Sequence, residues 1–365
     1  MLRFYRTYTT PFKEKIPTFV EVFFLRVPLF KRFLRFFGRY IYSEITLRDS
    51  QKLNTITKQH KKILWVQWVD SYLGDSLMDL SSRILLKDKE IDLLTKENVA
   101  NIYQNDTIFR HIFTDPKQCA SNQYDLLIID SYRQRSLKVL TKDLLQLPHI
   151  SLYGYYNVDD FNRLYFSFFH INKLTGCHYN QQQIEQIAKP LLPISKQDKI
   201  AISSLNLPDN FIAIVIGSAS VDRNFNKWDV IVDAIFTQDI VENIVLIGAK
   251  NAKIEARKIQ RKHPNKIIDT TGRCSFNQTA QIIKKSNLLV CADGGLLHAA
   301  NAVLTPVVAL FYHIEPTTRL IKINKSIALM GKNNMGHIQS DTIIEKIQLL
   351  QKDSEWEMKQ EKPIN

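Results

Sequence analysis

The chain has 365 residues, a length that accommodates two domains of ordinary size. Its composition, with 45% hydrophobic and 23% charged residues, is that of a soluble globular protein and excludes a fibrous or disordered one. No stretch reaches the roughly 18 uncharged apolar residues of a membrane-spanning helix, and four cysteines without CxxC spacing exclude a zinc or disulfide framework. We therefore expect a cytoplasmic protein with reduced thiols and no signal peptide.

The positive charge is concentrated at the N-terminus. Residues 1–62 hold 14 Lys and Arg against 4 Asp and Glu, a net of +10, whereas the whole chain has +13 and the remainder is therefore nearly neutral at +3. From Pro28 onward the spacing predicts an amphipathic helix. Its apolar face carries Leu29, Phe30, Phe33, Leu34, Phe37, Tyr40 and Ile41, and its basic residues are Lys31, Arg32, Arg35 and Arg39.

Three interpretations of this N-terminal segment are open. A Phe-rich face opposite a basic face is typical of a helix that lies on an anionic membrane, so we expect residues 1–45 to contact such a surface. Alternatively, the helix packs on the rest of the protein with its basic side in water. Interleaved basic and aromatic residues also suit single-stranded nucleic acid, but no RNA or DNA motif accompanies them, and we expect no nucleic-acid partner.

Strands and helices alternate from residue 61 onward, which predicts an α/β protein with parallel sheets. In the first half we predict strands at 61–69, 91–95, 124–130 and 149–153, and a helix at 76–86 that follows a loop ending at Asp75. Residues 155–205 are less regular, being aromatic, then Gln-rich, then interrupted by prolines. A domain boundary is therefore expected near 190–208.

The second half repeats the alternation. The predicted strands are 211–216, 243–247, 266–269, 288–292 and 307–311, and the predicted helices are 228–236, 252–262, 275–285, 296–304 and 341–358. This gives a basic amphipathic extension at 1–60, a first α/β domain at 61–200, a second at 208–335, and a C-terminal helix and tail at 336–365.

The most informative motif is Asp293-Gly294-Gly295, which separates the strand at 288–292 from the next helix. In open α/β sheets ligands bind at the carboxyl ends of the strands, and the exposed amides of a helix start suit a phosphate. His298 lies one turn into the helix. The alternatives are that Asp293 only caps the helix and that His298 only packs.

An ordered set of motifs resembles glycosyltransferase family 9, the lipopolysaccharide heptosyltransferase family. The set comprises Gly74-Asp75 after the first strand, the strand 124–130, Gly217-Ser218 followed by Asn226-Lys227-Trp228, the strand ending at Gly248, and Asp293-Gly294-Gly295 with His298. The resemblance implies the GT-B fold, in which two Rossmann-like domains face a cleft. It also implies an inverting transfer from a nucleotide sugar, usually ADP-heptose, without a metal or other cofactor.

The resemblance also implies roles for single residues. Asp75 is the expected catalytic base, although from sequence alone it is equally a helix N-cap. Lys227 is expected to bind the donor diphosphate, with a solvated loop charge as its alternative. The expected donor-binding residues are Ser218, Lys227, Glu255, Asp293, Gly294, Gly295 and His298. Gly294 stands where the family usually has Ser or Thr.

The acceptor candidates are Arg133 and Arg135, which follow the strand ending at Asp130 and suit a phosphorylated sugar core. The resemblance implies transfer of a heptose to a lipopolysaccharide or lipooligosaccharide core, by a peripheral protein on the cytoplasmic side of the inner membrane. The alternatives are transfer of another nucleotide sugar in capsule or surface glycan synthesis, and a catalytically silent protein that binds sugar nucleotides.

Overall fold

The computed structural model describes residues 28–68, 72–156, 161–218 and 223–360. The chain forms two compact units, Met1–Pro193 and Ile194–Asn365. Residues 1–27 of the segment expected to contact a membrane, and residues 361–365 of the expected tail, lie outside the described residues. Residues 69–71 and 219–222, in the loops that follow the first strand of each predicted domain, lie outside them as well.

The first unit is built around a five-stranded sheet whose strands all run parallel. The strands are β1 (Lys62–Gln67), β2 (Glu90–Thr95), β3 (Phe109–Phe113), β4 (Leu126–Ile129) and β5 (His149–Ser151), in the order β3-β2-β1-β4-β5. Its helices are α1 (Leu29–Thr46), α2 (Leu73–Leu80), α3 (Glu97–Tyr103), α4 (Gln134–Leu137), α5 (Arg163–Thr175) and α6 (Gln181–Ile187). The central strands are covered on both faces, which explains their continuous apolar runs.

Two features of this unit differ from the expectation. Helix α2 begins at Leu73 and passes into a 3-10 helix at Ser81–Leu86, so Asp75 lies in the first turn of the helix and not in the preceding loop. The edge strand β3 was missed because Arg110 and His111 in its middle are exposed and interrupt the apolar pattern.

The less regular region 155–205 holds three helices, α5, α6 and α7 (Lys196–Ser203). Each starts at a polar residue whose side chain accepts a bond from a backbone amide of the first turn, namely Asn162, Asn180 and Ser195. The starts of these helices are marked by the caps and not by a clear hydrophobic periodicity. For this reason the sequence pattern alone did not reveal the helices.

Helix α1 begins directly after Pro28, as its spacing predicted. It packs on the first unit through Phe36 and Leu47, which join a buried cluster with Tyr132 and Tyr155. The rings of Phe36 and Tyr155 meet edge to face, with centroids 4.7 Å apart. Within the described part of the chain, neither α1 nor any other helix is long and apolar enough to cross a bilayer.

The second unit contains a six-stranded parallel sheet. The strands are β6 (Ile212–Val215), β7 (Ile244–Ile247), β8 (Ile267–Asp269), β9 (Leu288–Ala292), β10 (Val307–Phe311) and β11 (Ser326–Met330), in the order β11-β10-β9-β6-β7-β8. Besides α7, its helices are α8 (Trp228–Thr237), α9 (Lys253–Lys262), α10 (Phe276–Lys285), α11 (Gly295–Val303) and α12 (Ser340–Gln360). The edge strand β11 was not predicted, since its residues are only partly buried.

Both sheets are wound in the same way. In each, the first strand lies in the middle, the next two strands extend the sheet to one side, and the fourth strand pairs on the other side of the first. The connections therefore diverge at the carboxyl ends of β1 and β4 in the first unit and of β6 and β9 in the second. Such a reversal of strand order leaves a crevice for a ligand at that edge.

Candidate active site

The expected donor residues gather at the strand-order reversal of the second unit. Ser218 follows β6, whereas Asp293 and Gly294 follow β9, the strand that pairs directly with β6. Gly295 is the first residue of α11, and Lys227 stands immediately before α8. The fold thus brings residues that are up to 77 positions apart in the sequence to one edge of one sheet.

Two glycines allow the loops at this edge to approach each other closely. Gly217 has φ +78°, and a Cβ there would lie 3.0 Å from the Cβ of Ala252 in the loop after β7. Gly248 has φ +156° and packs against the carbonyl of Ile216. The side chain of Asn251 donates a 2.9 Å hydrogen bond to the carbonyl of Ser218, which ties the two loops together. Any larger residue at Gly217 would push them apart.

Asp293 lies between two arginines at this edge. Its carboxylate is 3.4 Å from Nη1 of Arg223 and 3.8 Å from Nε of Arg319, and its side chain is 3% exposed. The N-cap position of α11 is Gly294, so Asp293 stands one residue before the cap. Two guanidiniums against one carboxylate leave a positive balance beside the start of a helix, which suits a diphosphate.

Lys227 is held in place on the same edge. Its Nζ donates a 2.7 Å hydrogen bond to the carbonyl of Gly336, in the loop between β11 and α12, and its side chain is partly buried. This contact argues against a mobile, fully solvated loop charge. A lysine fixed by one carbonyl keeps further donor hydrogens for an anion, because an ammonium group carries three.

The remaining two donor candidates have different surroundings. His298 is buried in α11 and only 3% exposed. Glu255 lies in the first turn of α9, where burial and the nearby Asp229 raise the pKa of its carboxyl, with Lys258 acting in the opposite direction. Asp229 and Lys258 are therefore its charged neighbours. Nothing in this arrangement by itself selects Glu255 as a ribose ligand.

The expected base, Asp75, is ion-paired with a buried arginine. Its Oδ2 lies 3.1 Å from Nη1 of Arg163, whose side chain is 1% exposed, while 19% of the Asp75 side chain remains exposed. The N-cap position of α2 is Tyr72, without a side-chain capping bond, so Asp75 does not cap the helix. The Asp75 carboxylate is therefore partly exposed, and the buried guanidinium of Arg163 orients it.

Arg163 is itself held by a buried network. Two nitrogens of its guanidinium, Nε and Nη2, donate hydrogen bonds to the carboxylate of Asp79, and the Nε–Oδ1 distance is 2.8 Å. The hydroxyl of Tyr153 also donates to Asp79, and Gln67 Nε2 donates to it at 2.8 Å. Burial, and then the charge of Asp79, raise the pKa of Tyr153 far above its usual range, so this hydroxyl keeps its proton. The network fixes the guanidinium that faces Asp75.

Sequence reasoning missed both Arg163 and Asp79. Asp79 lies four residues after Asp75, a spacing that puts both carboxylates on one face of α2, and this signal was available in the sequence. Arg163 is 84 residues from Asp79, in the region that the sequence pattern left less regular. Arg319 was missed because it lies 26 residues after Asp293 in the chain and only the fold brings the two together.

The two acceptor candidates follow β4, at the edge where β1 also ends. Arg133 occupies the N-cap position of α4 and is half-buried, whereas Arg135 is exposed. The carboxylate of Asp130 accepts a 2.9 Å bond from the backbone amide of Trp68 and so ties the loop after β1 to the end of β4. Asp75 follows β1, so the fold places the candidate base and the candidate acceptor residues at one sheet edge.

Clusters with the composition of a metal site do not occur among the described residues, where no three His, Cys, Asp or Glu side chains group closely enough to hold an ion. The four cysteines are free.

Comparisons with known proteins give one family model and several solved structures of similar fold. Residues 186–347 match the family model of glycosyltransferase family 9 (heptosyltransferase). A family 9 glycosyl transferase from Veillonella parvula DSM 2008 superposes with a TM-score of 0.68 at 14% identity, covering 82% of this chain and 100% of its own. No curated protein sequence matches the chain.

Two Escherichia coli structures are also similar in fold. The ADP-heptose lipopolysaccharide heptosyltransferase II has a TM-score of 0.62 at 17% identity, covering 80% of this chain and 99% of its own. Heptosyltransferase WaaC with ADP has a TM-score of 0.54 at 13% identity, covering 79% and 97%. These likenesses confirm the expected GT-B fold with two Rossmann-like domains.

Proposed function

We propose that the chain, whose residues 186–347 match the family 9 model and whose fold is GT-B, is a family 9 glycosyltransferase that transfers a heptose from ADP-heptose to the saccharide core of a lipopolysaccharide or lipooligosaccharide. The observation that carries the donor part is the cationic edge of the second unit, where Arg223 and Arg319 flank Asp293 and Lys227 is fixed nearby. The choice of ADP-heptose follows the similar E. coli structures, one an ADP-heptose heptosyltransferase and the other holding ADP.

The second unit stabilises the leaving group. As the bond between the anomeric carbon and the diphosphate oxygen breaks, negative charge grows on the diphosphate. Lys227, Arg223 and Arg319 offset that charge, and the first amides of α11 add to their effect. Gly294 and Gly295 leave the backbone open to the ligand, because neither carries a side chain. Ser218, His298 and Glu255 complete the proposed donor site.

The first unit activates the acceptor. The carboxylate of Asp75 accepts the proton of the acceptor hydroxyl as its oxygen bonds to the anomeric carbon from the side opposite the leaving diphosphate, which inverts the configuration. Arg163 pairs with this carboxylate and holds its orientation. Arg133 and Arg135 bind phosphate groups of the acceptor core.

Because the proposed acceptor is lipid-linked, we propose that the protein acts at the cytoplasmic face of the inner membrane. Residues 1–45 would contact its anionic surface. We also propose that transfer needs no metal. Activity should therefore be unchanged in excess EDTA, and loss of activity restored by one added divalent cation would contradict this part of the proposal.

Thermal unfolding with ADP-, UDP-, GDP- and CDP-sugars tests the donor. A ligand present at 100 times its Kd stabilises the folded state by about 2.7 kcal/mol. Selective stabilisation by ADP-heptose is the expected result. Stabilisation only by another nucleotide sugar would instead favour the capsule or surface-glycan alternative. Stabilisation by ADP-heptose without release of ADP to any core acceptor would favour the catalytically silent protein.

A further inference from the structure

The outer face of α1 carries a row of large apolar side chains that the first unit leaves uncovered. The row, here called the outer stripe, consists of Phe30, Leu34, Phe37, Ile41 and Ile45, and these residues are between 42% and 70% exposed. Sixteen large hydrophobic residues are exposed in the described part of the chain, and six of them, the stripe and Tyr40, lie in this one helix. The others are spread over the surface, so α1 is where exposed apolar area concentrates.

The outer stripe is distinct from the face by which α1 is attached. At about 100° per residue, its five side chains fall within about 80° of arc, spread over about 22 Å of helix. Phe36, which packs in the buried cluster of the first unit, lies about 140° around the helix from the centre of the stripe, and Leu47, in the same cluster, directly follows the helix. Attachment is reinforced by Arg39, whose Nη1 donates to the carbonyls of Tyr155 and Tyr156. The helix is therefore fixed on one side and apolar on the other.

Positive charge accompanies the stripe. The helix contains Lys31, Arg32, Arg35 and Arg39 against Glu44, a formal balance of four minus one, or +3. Lys31 and Arg35 are exposed and lie about 80° and about 120° around the helix from the centre of the stripe, on the same flank. Residues 1–62 together carry +10. An uncharged protein surface would satisfy the apolar row but not this charge, whereas an anionic lipid surface satisfies both.

We infer that the outer stripe of α1 enters the interface of an anionic membrane, with the helix in the membrane plane and Lys31 and Arg35 at the lipid headgroups. Because the opposite face of α1 packs on the first unit, the helix would attach that unit, with its acceptor residues, to the membrane surface. This inference deepens the location stated in the proposed function, but it depends only on the surface of α1 and not on which sugar is transferred.

Co-sedimentation of the full chain with vesicles tests the inference. The stripe variant is Phe37→Asp combined with Ile41→Asp, and the matched control is Ile200→Asp combined with Ile254→Asp, on exposed helical positions of the second unit. Wild type and control should bind phosphatidylglycerol vesicles equally and phosphatidylcholine vesicles weakly. The stripe variant should bind phosphatidylglycerol at least about tenfold more weakly, since each buried Phe or Ile side chain contributes substantially to insertion. Equal binding by stripe variant and control would overturn the inference.

A charge variant probes the headgroup contact separately. Lys31→Glu combined with Arg35→Glu leaves the stripe intact and should reduce binding only to the anionic vesicles, with the loss growing as salt is lowered. Circular dichroism and a melting temperature equal to wild type verify that α1 remains folded in every variant.

Wild type, the stripe variant and a deletion variant together distinguish three alternative occupants of the stripe. A wild-type dimer that the stripe variant converts to monomer, without vesicle binding, would assign the stripe to a second copy of the chain. Vesicle binding that appears only after deletion of residues 1–27 would show that this segment covers it. Binding to single-stranded nucleic acid but not to vesicles would assign it to RNA or DNA. Each of these outcomes rejects the membrane assignment.

Failure of this inference is distinguishable from failure of the proposed function. Donor binding and transfer to a lipid-free core saccharide should be the same in wild type and stripe variant, because the stripe lies outside the proposed catalytic and donor residues.

Discussion

Asp75 and Asp79 lie one turn apart on α2, and the structure predicts opposite consequences of replacing each by Asn. The Asp79 carboxylate is fully buried, pairs with Arg163, and accepts hydrogen bonds from Tyr153 and Gln67. Asp79→Asn leaves the buried guanidinium of Arg163 with much less compensation, which should cost about 3–5 kcal/mol of unfolding free energy. Asp75 is partly exposed, and without its carboxylate Arg163 still pairs with Asp79. Asp75→Asn should therefore lower the unfolding free energy by less than about 1 kcal/mol.

The catalytic consequences run the other way. Asn at position 75 does not accept the acceptor proton, so Asp75→Asn should lower the transfer rate roughly 10²–10⁴-fold, while donor affinity is unchanged. Urea denaturation gives the stability, release of the nucleotide diphosphate gives the rate, and titration calorimetry gives the donor affinity. If Asp75→Asn turns over within about threefold of wild type, or destabilises the fold as much as Asp79→Asn, the assignment of Asp75 as the base is wrong.

Three further predictions concern other parts of the chain. Lys227→Met, which keeps the apolar stem but removes the bond to Gly336, should weaken donor binding and turnover together by about tenfold or more, and unchanged kinetics would reject the phosphate role. Gly294→Ser should fold as wild type, because the backbone there is extended and a Cβ has free space, and it should tighten donor binding if a hydroxyl suits that position; a loss of stability would contradict this. Burial, and then the charge of Lys52, lower the pKa of His149 to about 4, so the unfolded state binds its proton first. Stability present above pH 6.5 should therefore be lost as the pH falls toward 4, and His149→Asn should flatten that fall in pH-dependent urea denaturation.

Much of the fold follows from local patterns. Runs such as Leu288–Ala292 are apolar throughout, because strands of a parallel sheet are covered on both faces, and this made the central strands readable. Two of the four edge strands, β3 and β11, were missed for the opposite reason, since they are only partly buried. The helices α5 to α7 were missed because side-chain caps, and not a clear hydrophobic period, mark where they begin.

The candidate site divides in the same way. Motifs placed Asp293 at the end of a strand, and Asp75 and Lys227 directly before predicted helices. The same motifs gave no reason to choose between a cap and a functional carboxylate. The structure gives Tyr72 and Gly294 as the N-cap positions of α2 and α11, and the catalytic and donor-binding roles stay predictions.

The sequence by itself determined the alternation of strands and helices, the family resemblance and the amphipathic character of α1, because each depends on residues close together in the chain. Tertiary structure decided which distant charges meet. It brought Arg163 to Asp75 and Asp79, and Arg319 to Asp293, since these pairs depend on strand order and not on spacing. It also decided which face of α1 packs on the first unit, because Phe36 finds Tyr155 and the outer stripe is left exposed.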